Sequence, residues 1–171
     1  MPIAIPNNLL ALDDRPVSSF FDSWLERQQP FAIVLSGGND VGEFADRDHT
    51  EIRLLEYARN ARLPLLGICR GMQMMAVWAG AQLKEVSGHV RTRHELAGAW
   101  ADNVNSFHRS ALKGCPKEFV VTAMSQDGEI EAIEHTTLPW QGWMWHPERE
   151  AEFAASDQIR FKSLLGRMDN A

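Results

Sequence analysis

The stretch Gly67-Ile68-Cys69-Arg70-Gly71 constrains this chain more than any other. It follows the apolar run Leu63-Pro64-Leu65-Leu66 and opens onto Met72-Gln73-Met74-Met75-Ala76-Val77-Trp78. That order predicts a strand, a sharp turn and a helix. The pattern is the G-x-nucleophile-x-G elbow with cysteine at its centre. Flanking glycines suit such a turn, because the backbone is strained and strand and helix approach too closely for a Cβ. The turn would hold the sulfur at the top of a sheet near a helix N-terminus, whose positive end favours thiolate. Cys69 is therefore the candidate nucleophile.

A base is needed beside it. Trp143-Met144-Trp145-His146-Pro147-Glu148 ends the apolar segment 138–145. His146 is the candidate base. Glu148, two residues on, can accept a hydrogen bond from the far ring nitrogen and fix tautomer and orientation. On an extended segment, residues two apart point the same way, and Pro147 restrains the peptide between them. Oxyanion donors are expected from backbone N–H groups. One is Arg70, directly after the nucleophile. The other lies in Ser36-Gly37-Gly38-Asn39-Asp40, which ends the apolar run Phe31-Ala32-Ile33-Val34-Leu35. Both strand ends would then meet at one edge of a parallel sheet, where open α/β sheets place ligands.

These residues carry a resemblance. Gly-Ile-Cys-Arg-Gly-Met-Gln, His-Pro-Glu and the Gly-Gly-Asn-Asp loop are similar to the class I glutamine amidotransferases. Within them the chain resembles the γ-glutamyl hydrolases of the peptidase C26 branch. The resemblance covers residues 31–150. It includes a helix after the Gly-Gly loop (Arg47-Asp48, Glu51, Leu54-Leu55, Ala58) and the segment Val104-Asn105-Ser106-Phe107-His108. It implies Cys69 as nucleophile, His146 as base, Glu148 as its partner, and Gly38 and Arg70 as oxyanion donors. It further implies that Gly37, Asn39, Gln73, Asn105, Ser106, Phe107 and His108 hold a γ-glutamyl group. Two positions depart from the pattern: Ser36 stands where many members have proline, and Met144 where the branch often has glutamine. Residues 88–95, 105–108 and 144–150 look most like stand-alone members found beside surface-polysaccharide genes, one kind of which acts on a γ-glutamyl nucleotide amidate. The implied reaction is hydrolysis of a γ-glutamyl amide through a glutamyl thioester, with no cofactor. The alternatives are a glutaminase subunit feeding ammonia to a partner synthetase, and a catalytically silent binding domain.

The length of 171 residues predicts one domain spanning the chain. A net charge of −6 leaves no footprint for nucleic acid. No apolar stretch reaches membrane-spanning length, and no signal peptide is visible. Two cysteines make no disulfide framework, and a cytoplasmic setting suits a working thiol. Cys115 reads as a non-catalytic thiol.

The expected elements are strands over 2–5, 32–35 and 65–68, with helices over 17–28, 49–61 and 72–79. Later strands are expected over 119–124, 129–133 and 142–145, and an amphipathic helix over 156–168. The alternation predicts a three-layer α/β/α fold with a mostly parallel, flavodoxin-like sheet, lacking the family's usual first strand and helix. The missing strand suggests a truncated chain; a shorter variant completed by a homodimer is the other reading. Arg91 and Arg93 read equally as phosphate ligands or as a solvated loop. His89, His94, His108 and His135 match no helical or knuckle spacing, so no metal site is expected.

Overall fold

The computed structural model describes residues 1–7 and 18–166. The elements run α1 (Ser18–Gln28), β1 (Ile33–Leu35), α2 (Ala45–Ala61), β2 (Leu65–Ile68) and α3 (Arg70–Trp78). There follow β3 (Leu83–Glu85), β4 (Val90–Ala97), β5 (Asp102–Phe107), β6 (Ser110–Leu112), β7 (Phe119–Ser125), β8 (Ile130–His135) and β9 (Trp140–Trp143). A 3₁₀ turn, Pro147–Arg149, and α4 (Ala155–Gly166) complete the described chain. Val17, Arg167 and Met168, assigned to helices from sequence, lie outside the described residues.

Seven strands form one sheet in the order β1-β2-β9-β8-β7-β4-β5, and β3 pairs with β6 in a small second sheet. The sheet is mixed. Among the described residues the parallel pairs are β1–β2 and β2–β9; β9–β8, β8–β7, β7–β4 and β4–β5 are antiparallel. The expected parallel character is thus confined to the three strands that carry the site. The connections explain it: β4–β5 and β7–β8 are joined by short links, which close only antiparallel pairs.

Successive residues of a strand face opposite sides, and the two sides of this sheet are covered by different helices. On one side Ile33, Leu35, Leu65 and Trp140 pack against Phe21 and Leu25 of α1, Leu54, Leu55 and Ala58 of α2, and Met72 and Met75 of α3. On the other, Leu66, Ile68 and Trp143 join Leu96, Val104, Ala123, Ala132, Trp145 and Leu164 of α4. This gives the α/β/α layering. Each buried methionine or leucine contributes about 1.5–3 kcal/mol by leaving water.

Residues 2–5 do not form a strand. Pro2 and Pro6 lack the N–H a ladder requires, although Ile5 still packs on the core. β1 is therefore a sheet edge, and Val34 on its outer side remains 55% exposed.

Candidate active site

Cys69 occupies the link between β2 and α3 with φ 49° and ψ −103°. A non-glycine residue at such angles is strained, and strain of this kind persists only where packing enforces it. The packing is visible in the two glycines. A Cβ on Gly71 would stand 2.1 Å from the Leu35 carbonyl oxygen, and one on Gly67 would stand 2.6 Å from the Gly71 carbonyl carbon. The Cys69 N–H donates to the Trp143 carbonyl at 2.7 Å, extending the β2–β9 ladder into the elbow. The nucleophile candidate is thus tied to the strand that leads to His146.

Burial dominates the thiol's acidity. Desolvation pushes Cys69 up to about 11, against a hydrogen bond from the Arg70 N–H and the positive charge of Arg149; the carboxylates of Glu148 and Glu131 add to the rise. The Arg70 N–H at the head of α3 does favour thiolate, as expected, but burial outweighs it, and near neutral pH the resting sulfur carries its proton. Attack then requires a base that removes the proton as the bond forms.

His146 stands where β9 passes into the 3₁₀ turn, and its Nδ1 lies 2.6 Å from Glu148 Oε1. A carboxylate can only accept, so Nδ1 carries the hydrogen and Nε2 is left as the basic nitrogen. The two residues meet across the Pro147–Arg149 turn and not on an extended segment as the sequence suggested. His146 is buried, while Glu148 is half exposed. Three further residues build its socket. Asn105 brackets the peptide, accepting from His146 N at 2.9 Å and donating to His146 O at 2.8 Å. The Phe107 ring meets the imidazole edge-on with centroids 5.8 Å apart. Gly37 lies against the ring so closely that a Cβ there would fall 2.6 Å from Cε1. Among the described residues no hydrogen bond joins Cys69 Sγ to His146; proton transfer requires that contact to close.

The Gly-Gly loop is held by Arg47, which spans it. Its Nη2 donates to the carbonyls of Ser36 (2.8 Å) and Gly37 (3.1 Å), its Nη1 to Asn39 Oδ1 (3.0 Å) and its Nε to Glu51 (2.9 Å). Glycine suits position 38, because its φ of 151° is one that residues with a Cβ rarely adopt, and a Cβ would also crowd Arg47 Nη1. Glu51 also pairs with the buried guanidinium of Arg70, which in turn pairs with Asp48. One network of alternating charges therefore links the loop carrying Gly38 to the elbow carrying the Arg70 N–H. Burial lowers the basicity of Arg70, opposed mainly by Glu51. The elbow motif marks the Arg70 N–H as a donor but carries no sign of the part its side chain plays.

The remaining predicted residues divide by strand alternation. Asn105 and Phe107 face His146, whereas Ser106 donates to the His89 carbonyl at 2.8 Å and His108 meets the His89 ring. Gln73 is buried and its amide donates to the Ser110 carbonyl at 2.9 Å. Arg93 is engaged by Glu150 (2.8 Å) and by Asn103. Arg149, singled out by nothing in the sequence, lies over the Phe107 ring at 4.3 Å. His135 accepts from the Thr137 and Leu138 N–H groups and serves as a turn. The other three histidines do come together, with Glu131; helix and knuckle spacings miss such a group because its members sit on separate strands.

The sequence profile described as glutamine amidotransferase class-I matches residues 13–160. This chain belongs to the class I glutamine amidotransferase family. As a member it is 34% identical over 126 residues to the γ-glutamyl-CDP-amidate hydrolase of Campylobacter jejuni, spanning 70% of this chain and 62% of that protein. It is 31% identical over 159 residues to the glutamine-hydrolyzing GMP synthase subunit of Methanopyrus kandleri, spanning 83% of this chain and 80% of the relative. Among solved structures, a Thermoplasma acidophilum protein described as a GMP synthase subunit superposes with a TM-score of 0.72 at 21% identity, covering 95% of this chain and 78% of that one. A glutamine amidotransferase from Thermotoga maritima superposes with a TM-score of 0.64 at 19% identity, over 84% and 67% of the two chains. These likenesses establish the α/β fold of an amidotransferase. No described helix is long and apolar enough to cross a membrane.

Proposed function

We propose that this amidotransferase-family chain hydrolyses the γ-glutamyl amide of a small molecule through Cys69, His146 and Glu148. His146 Nε2 takes the thiol proton as sulfur adds to the γ-carbonyl carbon. The oxyanion rests against the N–H groups of Gly38 and Arg70. The imidazolium returns the proton to the leaving nitrogen, the C–N bond breaks, and a glutamyl thioester remains. Water, deprotonated by His146, then adds and releases glutamate with the thiol restored. Glu148 stays ionised throughout and steadies the imidazolium. Gly37, Asn39 and Phe107 are the residues expected to meet the γ-glutamyl group, with Gln73, Asn105, Ser106 and His108 supporting them.

The observation that carries this reading is the strained backbone of Cys69, φ 49°, at the end of a strand paired with the one leading to His146–Glu148. The Campylobacter relative supports a nucleotide-bearing amidate as substrate. The archaeal synthase subunits support a second reading, a glutaminase that passes ammonia to a separate synthetase. A reducing cytoplasm suits either chemistry. The test is hydrolysis of a γ-glutamyl anilide, a γ-glutamyl nucleotide amidate and free glutamine by wild type and Cys69→Ala. Amidate turnover abolished by the substitution supports the hydrolase. Glutamine turnover that appears only with a partner supports the subunit. Failure on every substrate supports a silent binding domain.

A further inference from the structure

Behind the candidate catalytic centre, three groups that can each only accept a hydrogen bond face one another in the interior. His89, His108 and Glu131 are 1%, 3% and 0% exposed. His89 Nδ1 lies 3.2 Å from His108 Nε2, and both nitrogens lie 3.3 Å from Glu131 Oε1. The outward sides of the rings decide the tautomers. His89 Nε2 lies 2.8 Å from Asp127 Oδ2, and His108 Nδ1 lies 3.0 Å from the Ser110 carbonyl. Both of those partners only accept, so the outward nitrogens carry the hydrogens and the inward ones present lone pairs. Neither oxygen of Glu131 receives a hydrogen bond, and the buried Nε2 of His94 has no partner among the described residues. Leaving a buried carboxylate so exposed to bare lone pairs is costly.

We propose that His89, His108 and Glu131, with His94 as fourth ligand, form a binding site for a tetrahedral divalent cation, zinc above all. The ligand atoms of all four residues lie within 4.8 Å of one another. Zinc bonds of about 2.0–2.1 Å at tetrahedral angles separate neighbouring ligands by about 3.3–3.4 Å, which matches the triangle already in place. Imidazole and carboxylate suit zinc. The outer contacts are those that orient metal-bound histidines: a carboxylate behind His89, itself held by Ser125 Oγ at 2.5 Å, and a backbone carbonyl behind His108. The ligands come from β4, β8 and the residues flanking β4 and β5. The ion would pin these strands behind the centre, where the Ser110 carbonyl is shared by His108 and Gln73 and the Glu131 carbonyl accepts from Met144 N at 2.8 Å.

The experiment uses the full chain without a polyhistidine tag. Metal content is measured by elemental mass spectrometry after purification and again after zinc is restored to chelator-treated protein. Wild type and Cys69→Ala should each hold close to one zinc per chain, and cobalt should give the intense visible bands of tetrahedral coordination. Saturating zinc should raise the melting temperature by about 5–15 °C. Glu131→Gln should lose the stoichiometric ion. His94→Gln, at a partly exposed position that tolerates change, should retain the fold by circular dichroism and bind with at least tenfold lower affinity. Folded wild type that takes up no more zinc or cobalt than Glu131→Gln would overturn the proposal. So would proton spectra showing His89 or His108 as imidazolium in metal-saturated protein, since a trapped proton would then bridge the carboxylate.

Discussion

Asn105 grips the peptide group of His146 from both sides, with its carbonyl oxygen on N at 2.9 Å and its amide nitrogen on O at 2.8 Å. The same amide nitrogen reaches Glu150 at 2.7 Å. A strand residue on β5 thereby sets the height of the imidazole above the sheet. Replacing it with alanine leaves the buried His146 N–H unpaired, at about 1–3 kcal/mol, while the His146 carbonyl keeps the Arg149 N–H. Asn105→Ala should lower kcat about 10- to 100-fold with KM little changed, because geometry at the base is lost and not a substrate contact. Steady-state kinetics check this; a rise in KM alone would make Asn105 a substrate ligand.

Gly37 is tested by a single methyl group. The Cβ of Gly37→Ala would meet the imidazole at 2.6 Å, closer than any such contact can stand. The ring must rotate away, so activity should fall by at least about 100-fold, the scale of a general base removed from its place. Thermal melting should barely move, since the loop is at the sheet's edge. Wild-type activity in this variant would mean that the imidazole does not work from this position.

The Arg47 clamp predicts a loss at the oxyanion. Arg47→Met releases the carbonyls of Ser36 and Gly37 and leaves buried Glu51 with one cation instead of two. One displaced oxyanion donor is worth about 3 kcal/mol, or roughly 100-fold in kcat. Breaking the buried pair should also cost about 3 kcal/mol of stability. Denaturant melts and kinetics measured together separate the two effects.

The thiol of Cys69 gives a pH signature. Burial moves it from 9.0 to about 11 in the folded state. The folded chain therefore holds its proton where the unfolded chain has begun to release it. The resulting stability is present in full below about pH 9 and is lost as pH rises through about 11. Alkylation of Cys69 by iodoacetamide should be slow at pH 7 and climb toward pH 11. Arg149→Ala, which removes a favourable charge, should shift the curve further up. A rapid reaction at pH 7 in the unliganded protein would show a resting thiolate and contradict the account.

The elbow was legible because its constraints are local. Two glycines around Cys69 announce a close approach, and the strand over 65–68 is found where the apolar run predicts it. His-Pro-Glu was legible for the same reason. The strands β4 and β5 were not, because Arg91, Arg93, Glu95, Asn103 and Asn105 break the apolar pattern that marks a strand. These polar residues are there because the two strands lie at the outer end of the sheet and carry groups that serve the site. The side-chain roles of Arg47 and Arg70 depend on α2 docking beside the elbow, a tertiary relation that no spacing encodes. The histidine cluster gathers residues 89–131 by sheet register alone. Helix α2 starts at Ala45 instead of residue 49, since Asp46 and Asp48 extend its acidic first turn.

The central claim is that Cys69 carries the acyl group. Rapid acid quench of the enzyme during turnover of a γ-glutamyl amide, followed by peptide mass spectrometry, tests it directly. A labile glutamyl adduct is expected on the peptide containing Cys69, formed faster than free glutamate accumulates, and Cys69→Ala should show neither adduct nor turnover. Undiminished hydrolysis by Cys69→Ala, or steady turnover in which the Cys69 peptide never gains a glutamyl group, would contradict it.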